Sequence, residues 1–72
     1  MTFIEAYKSL DMKQRTSITT SLMADGITYE AFSKWTRGAR TPKIYVQKKI
    51  HKLLLKHANL NIPVTELFPP QS

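Results

Sequence analysis

The sequence predicts a single all-α domain, and three observations lead there. Of its 72 residues, 42% are hydrophobic, enough for one modest core in a chain this short. No alternating apolar run is bounded by turn residues, and no Asn-Gly or Asp-Gly pair marks a hairpin. Helix starts and stops, by contrast, recur along the whole chain.

Thr2 followed three residues later by Glu5 is a capping-box pair, and Phe3, Ile4, Tyr7 and Leu10 recur at helical spacing. These set a first helix near 3–10. Asp11 with Gln14 repeats the box and opens a second helix over about 12–25, with Ile18, Leu22 and Met23 turned inward. Gly26 and Gly38 each stand where a helix end needs positive φ, which only glycine adopts at little cost. The interval between them holds one short helix, 28–37, beginning at a Thr28 cap. Ile27, Ala31, Phe32 and Trp35 share its inner side, and Tyr29, Glu30, Ser33, Lys34 and Arg37 its outer side. After a loop, Pro42 leads into a fourth helix over 43–57, with Val46, Ile50, Leu53, Leu54 and His57 following a helical stripe. Asn59 and Asn61 suit a turn, and Pro63 opens a last helical turn at 64–68 before Pro69-Pro70. Phe3, Tyr7, Phe32, Trp35, Leu54, Leu67 and Phe68 are the expected core.

Charge narrows the function. Eleven basic residues against five acidic ones leave a formal charge of +6 and a pI near 9.9. No acid falls between Glu30 and Glu66, whereas Lys34, Arg37, Arg40, Lys43, Lys48, Lys49, Lys52 and Lys56 all do. Such asymmetry marks a nucleic-acid binder or, less often, a protein lying on an anionic membrane; the plainer reading is a solvated lysine face. The absence of cysteine excludes disulfides and thiolate zinc sites. His51 and His57 are six apart with no third ligand nearby, so neither metal nor cofactor is expected. The acids are scattered, and no Ser-His-Asp set or phosphate-cradling glycine loop occurs, so an enzyme is not expected. The longest apolar run is Leu53-Leu54-Leu55, and the N-terminus lacks a basic and apolar leader. A cytoplasmic, nucleoid-associated protein without a membrane partner is the expectation.

A helix closing at Gly26, a tight turn and a short helix through Phe32 and Trp35 form a helix-turn-helix pattern. The continuation Phe32-Ser33-Lys34-Trp35-Thr36-Arg37-Gly38-Ala39-Arg40-Thr41-Pro42 resembles the recognition-helix exit of the lambda repressor/Cro-like DNA-binding family. Ile50, Leu53-Leu54 and Ile62-Pro63-Val64-Thr65-Glu66-Leu67-Phe68-Pro69 are similar to that family's last two helices, so the likeness spans about residues 12–69. It implies a compact five-helix lambda-repressor-like domain and a small, repressor-type transcriptional regulator that binds double-stranded DNA. By matching position, Tyr29, Glu30, Ser33 and Lys34 would read base edges in the major groove. Glu30 reads equally well as an acid complementing the helix dipole, and Tyr29 as packing back onto the second helix. Thr28, Arg37, Arg40, Thr41 and Lys43 would hold backbone phosphates, as would Lys13, Gln14 and Arg15 at the start of the second helix. The helix-four lysines are expected only to strengthen the field. So small a reading head implies a homodimer, or cooperative binding to paired half-sites, with Leu55 and the stretch Ile62 to Phe68 as apolar candidates for the contact or, equally, for the core. The alternative is a protein-interaction module of the same fold, a partner in a mobile-element or toxin system.

Overall fold

A computed structural model describes residues 1–70, and among them five helices and no strand occur. The helices are α1 (Phe3–Ser9), α2 (Met12–Ala24), α3 (Tyr29–Thr36), α4 (Ile44–Ala58) and α5 (Val64–Leu67). Each lies within about two residues of its expected bounds, the all-α class holds, and the reasons are visible at the helix ends.

Both capping boxes form. The Glu5 N–H donates to Thr2 Oγ1 (3.3 Å) while the Thr2 N–H donates to Glu5 Oε1 (2.9 Å). Gln14 and Asp11 exchange the same pair of bonds at 2.8 and 3.0 Å. The Thr2 backbone and hydroxyl donors hold the Glu5 carboxyl below its ordinary pKa. Thr28 caps α3 by accepting from the Ala31 N–H at 3.1 Å. The start of α4 has no side-chain cap. Pro42 lies before that helix rather than inside it; it is buried, and its carbonyl accepts from Gln47 Nε2 at 2.8 Å.

Three helices leave through the same device. At Gly26 (φ +90°) the Ile27 N–H reaches back to the Leu22 carbonyl, and the Gly26 N–H to Met23. At Gly38 (φ +76°) Ala39 reaches Lys34 and Gly38 reaches Trp35. At Asn59 (φ +55°) Leu60 reaches Leu54. Each is a left-handed residue that satisfies carbonyls otherwise orphaned at a helix end. Asn59 fills the role without glycine because asparagine tolerates this conformation better than most residues.

The close helix pairs are α2 on α4, α4 on α5, and α1 on both α3 and α5. The pair α2–α3, joined by four residues, is not among them; Leu22, four residues before Gly26, is fully buried on the inner side of that corner. Phe3, Ala6, Leu10, Ile18, Leu22, Phe32, Val46, Ile50, Leu53, Leu54, Ile62 and Leu67 form the core. Phe3 is its aromatic hub, with ring centroids 5.9 Å from Tyr7, 6.2 Å from Phe32 and 5.3 Å from Phe68. α1, α3 and the residue that closes α5 thus share one aromatic cluster, which Trp35 extends at 6.3 Å from Phe32.

Two apolar expectations are corrected. Met23 is only half-buried, because Ile18 and Leu22 already fill the inner side of α2. Ile62, a candidate for the dimer contact, is 8% exposed and joins the core, where Leu67 lies as expected at 2%, so neither is open to a partner. The His51 Nδ1–H donates to the Ile62 carbonyl at 2.6 Å and draws that connection onto α4. Leu55 does stay exposed. No described helix is long and apolar enough to cross a membrane.

Candidate nucleic-acid interface

α3 is anchored from behind by Phe32, so its opposite side faces outward. At about 100° per residue, Tyr29, Ser33, Arg37, Glu30 and Lys34 fall within a sector of about 140°. The Tyr29 side chain is 70% exposed, which removes the reading in which it packs onto α2. Glu30 and Lys34 form an i,i+4 ion pair at 3.6 Å, so each partly neutralises the other before any ligand arrives. Both groups are substantially exposed, and such a pair contributes no more than about 0.5 kcal/mol. Arg37 folds back along the helix, its Nε donating to the Ser33 carbonyl at 3.4 Å and leaving the outer guanidinium nitrogens open. Thr36 donates to the same carbonyl at 2.9 Å.

The loop after α3 is held close to the helix it leaves. The Lys34 carbonyl accepts from both Ala39 (2.9 Å) and Arg40 (3.4 Å) N–H groups. A groove of about 310 Å³ runs between the start of α3 and this loop. Thr28, Glu30 and Lys34 line one side and Arg40, Thr41 and Lys43 the other, with Ala31, Trp35 and Pro42 as apolar floor. Six of the twelve candidate residues therefore meet at one place, although they are spread over sixteen positions of sequence. The ion pairs among the described residues join Met1 to Glu66, Lys34 to Glu30 and Lys49 to Asp25. Arg37, Arg40 and Lys43 thus have no acidic partner there. An anion seated along this groove would meet guanidinium, ammonium and hydroxyl donors from two chain segments.

The start of α2 is different. Arg15 is engaged with α1: its Nε donates to the Tyr7 carbonyl and its Nη2 to that of Lys8, both at 3.1 Å, and its guanidinium lies 5.0 Å from the Tyr7 ring centre. It thereby closes the C-terminal carbonyls of α1, where a cation is favoured. The expectation of Arg15 as a free phosphate ligand is corrected accordingly. Gln14 keeps its amide NH₂ available, its carbonyl oxygen being held by Asp11, and Lys13 is exposed.

The apolar groove floor was not read from sequence as part of a site. Spacing marks Pro42 as a helix start and Trp35 as core, yet Trp35 is only half-buried and lines the groove with Pro42. No group of three or more His, Asp or Glu side chains converges among the described residues. Compared with models of known protein families, with curated proteins and with solved structures, the chain matches none of them.

Proposed function

We propose that the chain is a small DNA-binding regulator of the lambda repressor/Cro-like type, reading double-stranded DNA with α3 rather than catalysing a reaction. The observation that carries this is the groove in which Thr28, Lys34, Arg40, Thr41 and Lys43 converge beside an exposed helix face. In this reading α3 enters the major groove with Tyr29, Glu30, Ser33 and Lys34 toward base edges. Lys34 donates to guanine O6 or N7, Ser33 to whichever base it meets, and Glu30 accepts from cytosine N4. Lys34 must leave Glu30 to do so, and that exposed pair at 3.6 Å is weak enough to open at little cost. Thr28, Arg37, Arg40, Thr41 and Lys43 hold the backbone and set register, with Lys13 and Gln14 on the flanking strand. A protein of this kind acts as a repressor on nucleoid DNA.

The test is a titration of labelled random-sequence duplex between about 50 and 200 mM salt, where four to six phosphate contacts give a slope near −4 to −5. The expected result is affinity falling on the order of 10²–10³-fold across that range, and loss of binding by Lys34→Glu with Arg37→Glu. Equal binding by the double variant contradicts the reading.

A second reading, a partner-binding module, is favoured by one feature. A groove of about 410 Å³ between the start of α4 and α5 is lined by Ile44, Gln47, Val64, Thr65, Phe68, Pro69 and Pro70, with Ile44 58% exposed. A protein partner seated there, a second copy of the chain included, would cover this apolar surface without any part in DNA binding. Light scattering at micromolar concentration distinguishes a dimer, lost in Ile44→Glu, from a monomer.

A further inference from the structure

The outer side of α4 plays no part in the interface above, and its composition is unusual. The helix contains no acid, and Lys48, Lys52 and Lys56 have no acidic partner among the described residues, Lys49 being paired with Asp25. Tyr45 stands 68% exposed at the head of the same face. Counting about 100° per residue, Lys52 and Lys56 fall within about 20° of Tyr45, with Lys48 and Lys49 flanking one turn on. The result is a straight stripe about 16 Å long, at about 1.5 Å per residue, headed by an aromatic ring and continued by cations. An open groove of about 530 Å³ along it is lined by Tyr45, Lys48, Lys49, Lys52 and Leu53.

A solvated lysine face accounts for the cations and leaves the exposed ring unexplained. A duplex could neutralise the lysines but keeps its bases stacked on each other, so Tyr45 would gain no base to stack on. An unpaired strand satisfies both, with phosphates along the ammonium groups and one base on the ring. We propose that the Tyr45–Lys48–Lys52–Lys56 face of α4 is a binding site for single-stranded nucleic acid. It is separate from the α3 groove and does not rest on the duplex reading.

The probe is fluorescein-labelled oligodeoxythymidine of about 15 nucleotides, long enough to cover such a site. Anisotropy of the full chain is measured between about 50 and 200 mM salt, with unlabelled duplex and with vesicles of equal phosphatidylserine and phosphatidylcholine as competitors. Tyr45→Ala weakens oligothymidine binding about tenfold, the scale of one lost base stack, and Tyr45→Phe restores it. Lys48→Gln with Lys52→Gln and Lys56→Gln, which keeps helix propensity, flattens the salt slope by about 2. Tyr45→Ala leaves duplex binding within twofold, so failure of this site and failure of the α3 reading are separable. Three results overturn the proposal: no binding of oligothymidine, equal binding by Tyr45→Ala, or equal displacement by duplex or vesicles.

Discussion

α3 with its following loop and α4 each carry four basic residues, yet they present them in different ways. Lys34, Arg37, Arg40 and Lys43 come from an eight-residue helix and a loop pinned to its last turn, and all but Arg37 line one groove with hydroxyls and apolar side chains. Lys48, Lys49, Lys52 and Lys56 lie along a fifteen-residue helix as an open stripe. Each set gives up one member to an ion pair, Lys34 to Glu30 and Lys49 to Asp25. Equal charge is therefore not equal chemistry. Converging donors from two segments can fix the position of a ligand, whereas a stripe on one helix attracts a polyanion without fixing its register.

The backs of the two helices differ as well, and this gives the largest effect. α3 depends on one fully inserted side chain, Phe32, while α4 is held by Val46, Ile50, Leu53 and Leu54. Phe32→Ala should cost about 3–5 kcal/mol, a large fraction of the stability of a domain this size. A urea melt checks it, with amides of α3 exchanging first. Leu53→Ala, at the edge of a broader apolar face, should fall near the lower end of the ~2–5 kcal/mol range.

The helix exits come next. Gly38→Ala and Gly26→Ala both force a side chain to positive φ, a cost of about 1–2 kcal/mol each. They differ in what the new Cβ meets: open space at Gly26, and Ile4 Cδ1 at 3.1 Å at Gly38. Thermal melts should show Gly38→Ala as the worse of the two by a few tenths of a kcal/mol, since the end of Ile4 can yield. Duplex binding should fall only for Gly38→Ala, because that turn carries Arg40 toward the groove.

The helix starts sharpen the comparison from the other side. Thr28→Ala removes a cap and should destabilise by about 1 kcal/mol. Lys43→Ser supplies the cap α4 lacks and should stabilise by about 0.5–1 kcal/mol, while reducing the duplex salt slope by about 1. Stability and binding moving in opposite directions in one variant would separate Lys43 as a ligand from Lys43 as a helix residue. Equal movement of both contradicts its phosphate role.

Much of this architecture was legible because it is written in local signals. Gly26, Gly38, Asn59 and the two capping pairs act within six residues of themselves, so spacing alone locates them. The α3 outer face followed from the same periodicity. What escaped was set by contacts distant in sequence or by chain folding back. Arg15 reaches carbonyls seven and eight residues behind it, Lys49 meets Asp25, and Ile62 is drawn inward by His51. None of these leaves a periodic trace. The groove belongs to the same class, since it needs the loop after α3 to turn back on the helix.

The smallest expected effect is acidic. The Glu5 carboxyl, bonded to the Thr2 N–H and hydroxyl, titrates lower in the folded chain than in the unfolded one. Its contribution is present above the ordinary carboxylate pKa and lost as pH falls through the lowered value. Carboxyl shifts followed by NMR should show Thr2→Ala returning Glu5 toward its ordinary pKa.

The most direct test of the central claim is an amide NMR titration of the chain with double-stranded DNA at low salt. Shifts concentrated from Thr28 through Lys43, with α4 beyond its first turn little changed, are the predicted result. Shifts confined to α4 and α5, or absent throughout, would contradict it.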